Sequence, residues 1–476
     1  MAPDVSRAFV DREYELNLLE EQYRTPGASL FILYGRRRVG KTELLRRFAG
    51  EKRHIFLVAD QAPPAVHLGE FSRRTWALVH GEAPETFSFP SWDAVFRFVG
   101  QTAAAEPLLI ILDEVPYLVE GDKSLLSVLQ RLWDETLRHT RLKLVLCGSL
   151  VSFMERELLG HKSPLFGRRT GQYQLEPMTF RQTAGFFPAR EAAWRIGAYA
   201  VVGGMPAYLS LFVGEDDLES GLVRHVLRKG GVLFDEPRFV LIQELREPAY
   251  YFALLAAIAT GKTRLNEITK AAHRPDRGAA SRDLDILRAM GLVEREVPAT
   301  EPAPERSRRG TYRLKDNFLR FWFRFVYPYR TELETAGPEL VLERFIRPRL
   351  NEFVGQAFEE IARQHLRELA RQGNLPFLPS RIGRWWNRTT EIDVVALNPE
   401  DGQLLVGEAK WWAAPVGLNV LAELEQKARD LIAHSSGLWK RPPAVHYALF
   451  SRSGFTPELQ ERACKERVLL VGLGDL

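Results

Sequence analysis

The first half of the chain alternates short apolar runs with segments of helical periodicity. Residues 29–35, 107–114 and 142–149 are almost wholly apolar, and such short continuous runs predict strands that are buried on both faces. Between them, stretches such as 41–50 repeat apolar positions at helical spacing. Alternation of this kind predicts a parallel sheet with helices on both faces. We therefore expect an α/β domain over residues 1–215.

The pattern changes over residues 216–335. Three helical patterns are followed by two strand-like runs and by an aromatic-rich helix. Their ranges are 247–259, 263–273, 279–290, 292–299, 310–316 and 317–329. The loop between the two strands, residues 300–310, is polar and rich in proline and arginine. Three helices followed by a hairpin with a basic loop predict a winged helix.

The last third of the chain, residues 340–476, predicts another α/β unit. A long helix precedes a strand pair with a tight turn, and two further helix–strand steps follow. The helices and strands that can be placed cover 343–372, 390–412, 418–434, 445–450 and 468–473. The chain is thus predicted to hold three domains, which its length of 476 residues also favours.

Composition narrows the class of protein only slightly. The net charge of +4 does not identify a partner, and two cysteines do not suggest a disulfide framework or a zinc site. The N-terminus lacks the apolar stretch of a signal peptide. The longest apolar run, residues 250–259, is too short to span a bilayer. We expect a cytoplasmic protein that is not embedded in a membrane.

One segment carries the signature of a phosphate-binding loop. Residues 35–42 read GRRRVGKT, which fits G-x-x-x-x-G-K-[ST] directly after a buried strand and before a helix. Backbone N–H groups of such a loop surround the phosphates of a nucleoside triphosphate, and the helix N-terminus adds a positive dipole. Lys41 is expected to reach the β- and γ-phosphates and Thr42 to ligate Mg²⁺. The candidate nucleotide-binding residues of this segment are Gly35, Arg36, Arg37, Arg38, Val39, Gly40, Lys41, Thr42 and Glu43.

Polar residues at the ends of the later strands complete the predicted nucleotide site. Asp113 and Glu114 end the second apolar run, on the ligand side of an α/β sheet. Asp113 would hold Mg²⁺, and Glu114 would polarise the attacking water. Ser149 either senses the γ-phosphate or caps its strand. Arg168 and Arg169 either supply positive charge for phosphoryl transfer or belong to a solvated loop.

Several of these segments together resemble a known family. FVDREYELNLLEEQY, FILYGRRRVGKTELL, LLIILDEVPYL, SPLFGRRTGQYQLEPMTF and GGMPAYL are similar to the archaeal-type P-loop ATPases, relatives of the AAA and signal-transduction ATPases. The resemblance covers residues 9–240 and implies ATP as the cofactor. The family's N-terminal motif usually reads G-R-E, whereas this chain has Asp11-Arg12-Glu13. The C-terminal region resembles the restriction-endonuclease-like domain of unknown function that often follows this ATPase.

The predicted winged helix offers a surface for nucleic acid. Arg282 and Arg288 lie on its third helix, and Arg306, Arg308 and Arg309 lie in the loop of its hairpin. Arginines so placed can contact the DNA backbone and give affinity without sequence readout. The alternative is that this element serves as a lid or as a surface for a protein partner. A further arginine cluster at 381–388 is either phosphate-binding or simply solvated.

The strand pair at 390–412 suggests the D-x(n)-E-x-K pattern of metal-dependent nucleases. Asp393 lies on the first strand, and Glu408 and Lys410 share one face of the second. Two adjacent carboxylates can hold Mg²⁺, and Lys410 would orient or deprotonate a water. Glu359, on the preceding helix, resembles the family's upstream acid. A second E-x-K at 425–427 lies on a predicted helix, where we assign it no role.

Two functions follow from these patterns. The first is an ATP-dependent enzyme that acts on DNA, in which nucleotide state controls a metal-dependent nuclease. The second is a nucleotide-regulated switch or DNA-binding scaffold with an inactive nuclease-like domain. Both expect nucleic acid as partner, with DNA favoured, and both are compatible with a homo-oligomer.

Overall fold

The computed structural model describes residues 9–245, 247–273 and 276–476. It divides into two compact units, the first ending at Pro177 and the second beginning at Met178. Each unit contains a five-stranded sheet. The finer division of the chain into three domains stays a prediction.

The sheet of the first unit is entirely parallel. Its strands are β1 Ser29–Tyr34, β2 His54–Val58, β3 Leu108–Asp113, β4 Leu142–Gly148 and β5 Gly171–Gln174. They lie in the order β2-β3-β4-β1-β5. The three central strands are buried at every position and coincide with the three apolar runs. The predicted α/β fold with a parallel sheet is therefore confirmed.

Helices cover this sheet and bury its apolar side chains. They are α1 Glu13–Arg24, α2 Lys41–Ala49, α3 Pro64–His80, α4 Trp92–Ala105, α5 Val115–Gly121, α6 Leu125–Glu135 and α7 Val151–Phe153, which runs on into a π-helical turn at Met154–Leu159. Side chains of α3, α4 and α6 pack with the central strands in one apolar core. This core fixes the carboxyl ends of β1, β3 and β4, where the predicted nucleotide site lies.

The second unit begins with helices that surround a small hairpin. The helices are α8 Ala192–Val202, α9 Pro206–Phe212, α10 Leu218–Gly221, α11 Glu236–Glu244, α12 Pro248–Ala259, α13 Leu265–Ala271 and α14 Arg277–Ala289. The hairpin consists of β6 Val293–Glu296 and β7 Thr311–Leu314, which pair antiparallel. Three helices and a hairpin thus follow one another in the order that the sequence predicts.

Short helices lead from the hairpin to a long one. They are α15 Asn317–Phe321, α16 Arg330–Thr335, α17 Pro338–Val341 and α18 Arg347–Arg371. The predicted aromatic helix at 317–329 is present as α15 followed by a π-helical and a 3-10 turn. Its Trp322 is fully buried and donates a hydrogen bond of 2.7 Å to the Phe234 carbonyl oxygen.

The second sheet is mixed. Its strands are β8 Arg381–Trp386, β9 Glu391–Asn398, β10 Gln403–Lys410, β11 Ala444–Ser451 and β12 Leu469–Val471, with α19 Leu418–His434 and α20 Pro457–Glu466 between the later strands. The strands β8, β9 and β10 form an antiparallel meander, while β10, β11 and β12 run parallel. Helix α18 contacts the meander, and α19 packs on β9, β10 and β11.

Strand β8 differs from the expectation for the arginine cluster at 381–388. Arg381 donates to the carbonyl oxygens of Ala299 and Glu301, and Arg384 pairs with Glu296 and Glu391. These two arginines therefore attach the edge strand to the β6–β7 hairpin and its loop, a role that neither a phosphate site nor a solvated face describes. Nothing in the local sequence identifies the partners on the hairpin and its loop, which lie 80–88 residues earlier.

A partly buried ionic cluster joins the hairpin to helix α18. The Glu360 carboxylate is 2.9 Å from both Arg363 and Arg367 and 3.6 Å from Arg313 of β7. Burial alone would raise the pKa of Glu360, but these guanidinium groups outweigh burial and lower that pKa to about 2. Arg363, which is fully buried, also donates a 2.7 Å hydrogen bond to the Asp393 carbonyl oxygen. The cluster therefore links β7, α18 and β9.

Over the parts of the chain described above, no helix combines the length and apolarity that crossing a membrane requires.

The Glu360 cluster predicts a pH-dependent contribution to stability. The folded pKa of Glu360 lies below the ordinary value of 4.5, so its contribution is complete above that pH and is lost as the pH falls toward about 2. We expect Glu360→Gln to reduce the free energy of unfolding of the second unit by about 2–3 kcal/mol at pH 7. The difference from wild type should shrink at pH 3, as measured by denaturant titrations monitored by circular dichroism.

The matched control is Glu352→Gln on the same helix, because the Glu352 side chain is 66% exposed and pairs with Arg324 at the surface. This variant should change stability by less than about 1 kcal/mol. Equal effects of the two substitutions would contradict a special role for Glu360.

Candidate functional site

The phosphate loop joins β1 to α2 and depends on two glycines. A Cβ atom on Gly35 would lie 2.3 Å from the carbonyl oxygen of Leu175, so only glycine fits there. Gly40 precedes α2 with a φ of 96°, in the left-handed region that favours glycine. Between them, Arg38 also has a positive φ of 66°. The loop backbone is thus bent as a phosphate-binding loop requires, with the N-terminus of α2 at its end.

Lys41 lies inside this loop. Its side chain is buried, and its Nζ donates to the carbonyl oxygens of Gly35 at 2.8 Å and Arg36 at 3.0 Å. A buried ammonium that is held by two carbonyl oxygens keeps a fixed position and retains a third donor. This position is compatible with the predicted contact of Lys41 with phosphate oxygens at the mouth of the loop.

Oxygen ligands from two elements meet beside Lys41. The Thr42 hydroxyl donates to Asp113 Oδ2 at 2.6 Å, and Asp113 is fully buried at the end of β3. A hydroxyl and a carboxylate in contact are the hard ligands that Mg²⁺ takes in nucleotide sites, so the donor set fits that ion. Nearby, burial first and the charge of Asp113 second raise the pKa of the Cys147 thiol well above its ordinary value, so Cys147 remains an uncharged neighbour.

Glu114 and Ser149 contact each other. Glu114 Oε2 accepts hydrogen bonds from the Ser149 hydroxyl at 2.7 Å and from the Ser149 N–H at 3.1 Å. Glu114 has a left-handed φ of 58°, which turns it from the end of β3 into the first turn of α5. Ser149 thus binds the carboxylate that is predicted to polarise water. This contact differs from both roles considered for Ser149, which were to sense the γ-phosphate or to cap its strand.

Arg168 is engaged elsewhere than predicted. Its guanidinium forms hydrogen bonds of 2.6–3.1 Å with the carboxylate of Asp134 on α6 and also donates to the Pro164 carbonyl oxygen. Arg169 donates to the Leu159 carbonyl oxygen at 3.0 Å. The description as a solvated loop fits neither of these arginines. Action of Arg168 on a phosphate would first require its ion pair with Asp134 to open.

The second unit brings together three of the predicted nuclease residues. Asp393 of β9 accepts from the Ala409 N–H at 3.1 Å, and Lys410 Nζ lies 3.9 Å from Asp393 Oδ2. Lys410 also forms an ion pair with Glu408 Oε2. Glu408 is almost fully buried, and Lys427 of α19 binds its other oxygen, Oε1, at 2.9 Å. Lys427 belongs to the second E-x-K, so this copy of the pattern also contributes a residue to the cluster.

The two carboxyl groups of this cluster share a low-polarity environment. Burial raises the pKa of Asp393, and the charge of Glu359 raises it further. Burial also raises the pKa of Glu408, with the charge of Asp393 as the next cause. A divalent cation beside both carboxylates would offset this repulsion, and Mg²⁺ typically uses one or two carboxylates with several waters. The pair therefore fits the cation that the sequence predicts.

Glu359 does not complete a ligand set. Across residues 9–245, 247–273 and 276–476, no three His, Cys, Asp or Glu side chains converge as a metal cluster. Glu359 lies on α18, and its charge raises the pKa of Asp393. Its carboxylate does not converge with those of Asp393 and Glu408 on one point. The expected three-acid arrangement is thus absent from the described chain, because α18 and the two strands bring only Asp393 and Glu408 side by side.

Comparisons with known proteins agree with this description. Residues 9–212 match the family described as an ATPase domain predominantly from Archaea. Residues 322–426 match a family of archaeal and bacterial proteins of unknown function. An uncharacterized protein of Methanocaldococcus jannaschii is 33% identical over 409 residues, which cover 85% of this chain and 87% of that protein. The chain belongs to the archaeal ATPases.

Two further similarities concern the archaeal ATPase part. An uncharacterized ATP-binding protein of the same organism is 51% identical over 45 residues, 10% of this chain and 76% of that protein. The Walker-type ATPase of Pyrococcus abyssi is structurally similar, with a TM-score of 0.51 at 22% identity over 66% of this chain and 96% of that protein. The P-loop ATPase fold is therefore confirmed, and so is the predicted archaeal-type ATPase domain. The restriction-endonuclease-like resemblance stays a prediction.

Arg12 contacts the phosphate loop, which its place in the sequence does not predict. Its buried guanidinium donates to the Glu176 carbonyl oxygen at 2.8 Å and to the Val39 carbonyl oxygen at 3.4 Å, and it pairs with Glu15. Asp11 before it has a φ of 56°. A left-handed backbone favours glycine, which the resembled family usually has at this position, and aspartate tolerates that region better than most residues. The motif was visible in the sequence, but its contact with the phosphate loop was not.

The archaeal ATPase site predicts distinct effects for Lys41 and Glu114. Lys41→Ala removes charge-assisted hydrogen bonds worth roughly 1.5–3 kcal/mol each, and we expect nucleotide binding to fall at least tenfold. Glu114→Gln keeps the size of the side chain and should preserve binding while hydrolysis falls about a hundredfold or more. Fluorescent-nucleotide titration and phosphate release measure the two effects separately.

A suitable control is Glu120→Gln, because Glu120 lies on α5 one turn and a half beyond Glu114 and is exposed. It should bind and hydrolyse as wild type does. Hydrolysis that persists in both Lys41→Ala and Glu114→Gln would refute the assigned roles.

Proposed function

We propose that this archaeal ATPase is an ATP-dependent, metal-dependent nuclease that acts on DNA. The observation that carries the proposal is the contact of Asp393, Glu408 and Lys410 on neighbouring strands. A divalent cation held there would supply Lewis-acid stabilisation of a phosphoryl oxygen and a more acidic water. Asp393 and Glu408 would hold that cation, and the Lys410 ammonium would orient the water by donating a hydrogen bond to its oxygen. The order α18-β8-β9-β10-α19-β11 supports the resemblance to restriction-endonuclease-like domains.

The hairpin and third helix support the choice of DNA as substrate. Arg306 and Arg308 are exposed in the hairpin loop, and Arg282 is exposed on α14. The other two candidates are partly engaged: Arg288 pairs with Asp285 at 2.9 Å, and Arg309 donates to the Trp386 carbonyl oxygen. Arg306, Arg308 and Arg282 are therefore the main candidates for contact with phosphates.

The Glu360 cluster offers a route from this surface to the nuclease-like site. Arg313 on the hairpin contacts Glu360, and Arg363 contacts both Glu360 and the Asp393 carbonyl oxygen. Displacement of the hairpin by DNA would therefore act on the strand that carries Asp393. We propose that nucleotide state biases the same elements, since a switch requires two states that the ligand binds unequally.

One observation favours the second candidate, a nucleotide-regulated switch or DNA-binding scaffold without nuclease activity. Both carboxylate oxygens of Glu408 are in ion pairs with lysines. If neither lysine yields to a cation, the site is an internal salt-bridge cluster. Cleavage assays decide between the two functions.

The nuclease proposal predicts a specific loss of cleavage. Asp393→Asn, Glu408→Gln and Lys410→Met should each reduce Mg²⁺- or Mn²⁺-dependent cleavage about a hundredfold or more, because each removes a cation ligand or the group that orients the water. ATP hydrolysis should remain, since the substitutions lie in the other unit. Glu400→Gln is the control, because Glu400 is exposed in the turn that joins β9 to β10.

The same assay tests nucleotide control. Cleavage is compared with ATP, ADP, a non-hydrolysable analogue and no nucleotide. Equal rates under all four conditions would reject the control by nucleotide and leave the nuclease. An absence of cleavage of single- and double-stranded DNA and RNA under all four would favour the scaffold.

The DNA surface predicts a change in salt dependence. Replacement of Arg306 and Arg308 together by glutamine should weaken DNA binding and reduce the slope of log affinity against log salt by about 2, roughly 0.9 for each lost phosphate contact. Fluorescence anisotropy between 50 and 300 mM salt measures this slope. Replacement of Arg349 and Arg371 together by glutamine removes the same charge from exposed positions on α18 and provides the control. An unchanged slope in the Arg306 and Arg308 variant would point to a lid or protein-partner surface.

A further inference from the structure

Helix α19 brings Lys427 to the candidate nuclease site for a reason that can be read along β10. Leu404, Val406, Glu408 and Lys410 alternate along the strand and share one face. Val406 packs in the same apolar core as Val420, Leu421 and Leu424 of α19. Lys427 follows Leu424 by one helical turn, so its side chain lies over the same face as Glu408.

The contacts of Lys427 differ from those of Lys410. Lys410 lies on the strand itself and is near both Glu408 and Asp393. Lys427 binds Glu408 Oε1 at 2.9 Å, and it has a second acceptor one turn back on its own helix, Glu423 at 3.2 Å. The Glu423 side chain is 68% exposed, whereas Glu408 is almost fully buried. Lys427 can therefore leave Glu408 and keep a carboxylate partner near solvent.

A divalent cation at this site would need the same oxygen. Asp393 already accepts from the Ala409 N–H, and the two oxygens of Glu408 are each bound by one lysine. A cation that binds between the two acids therefore meets the positive charge of Lys427 or Lys410 on Glu408. Among the contacts described above, Lys427 pairs with an exposed carboxylate, Glu423, to which it can move, whereas Lys410 pairs with the two acids of the site itself.

We propose that Lys427 is a positioning residue that competes with the divalent cation for Glu408 and so sets the cation concentration at which the site loads. The inference rests on the proposed nuclease function. When the cation binds, Lys427 transfers to Glu423, and its positive charge comes to the rim of the site, where a phosphate group of the substrate would approach.

The test measures cation binding directly. Mn²⁺ is titrated into the nucleotide-free full chain and followed by its electron paramagnetic resonance signal, with the intrinsic fluorescence of the nearby Trp411 and Trp412 as a second readout. Binding that Asp393→Asn abolishes identifies the nuclease-like site. Lys427→Met should bind Mn²⁺ about fivefold more tightly at this site, as loss of one partly exposed ion pair implies. Lys427→Arg should restore the wild-type affinity.

A second variant acts in the opposite direction. Glu423→Gln removes the alternative partner at an exposed position, where folding is not threatened, so Lys427 should remain on Glu408 and Mn²⁺ should bind about twofold more weakly. Lys465→Met is the matched control, because Lys465 forms an exposed pair with Glu461 one turn back on α20. It should leave Mn²⁺ affinity unchanged.

The outcomes separate this inference from the proposed function. Equal Asp393-dependent Mn²⁺ affinity in wild type, Lys427→Met and Glu423→Gln would overturn the role of Lys427 and leave the metal site intact. Weaker Mn²⁺ binding in Lys427→Met would also overturn the role of Lys427, because removal of a group that competes with the cation for Glu408 cannot weaken cation binding. Absence of any Asp393-dependent Mn²⁺ binding, in wild type and in Lys427→Met alike, would overturn the proposed metal-dependent function itself.

Discussion

Charge that is removed from water must be compensated by nearby groups, and both units are organised around this constraint. In the first unit the buried Lys41 ammonium is bound by carbonyl oxygens, and the buried Asp113 carboxylate is bound by Thr42. In the second unit Glu408 is held between two lysines. An isolated buried charge would cost several kcal/mol or more. The fold therefore brings compensating groups from separate elements to Lys41, Asp113 and Glu408. These contacts form the candidate sites.

Helix α18 shows how such compensation connects distant parts of one unit. Glu360 is the common partner of arginines from β7 and from α18 itself, and Arg363 continues the contact to the backbone of β9. A buried network of this kind is costly to break at any single member. The hairpin, the long helix and the strand of Asp393 are consequently joined by one set of contacts, so a displacement of any one of them would strain the others.

The sequence predicted best those elements that are buried on both faces. Strands β1, β3 and β4 appear as continuous apolar runs, and the phosphate loop follows from its spacing. Strands β2, β5 and β8 each form an edge of their sheet, where polar residues are tolerated, and they left no comparable signal. The same reason explains why the polar sequence Gly171–Gln174 was not recognised as a strand.

The candidate sites were predictable where chemistry and strand position coincide. Asp393, Glu408 and Lys410 could be paired through a short turn, and Asp113 through its place at a strand end. Lys427 could not be found by motif, because its partner is 19 residues away on another element. A count of helical spacing from Val420 and Leu424 would have placed it toward the sheet. The Asp134 partner of Arg168 lies 34 residues earlier on a surface helix, and no local pattern marks it.

The closing segment of the first unit has a mechanical consequence. After β5, the Leu175 N–H bonds to the Tyr34 carbonyl oxygen, the Leu175 carbonyl oxygen lies against Gly35, and the Glu176 carbonyl oxygen accepts from Arg12, which also contacts the phosphate loop. The unit ends at the next residue, Pro177. The covalent path out of the ATPase thus runs along the wall of its own phosphate loop. A displacement of the chain at that point would act first on β5, which lies at the sheet edge and is the easiest strand to fray. Because the next residues contact Gly35 and Arg12, the same displacement would then disturb the phosphate loop.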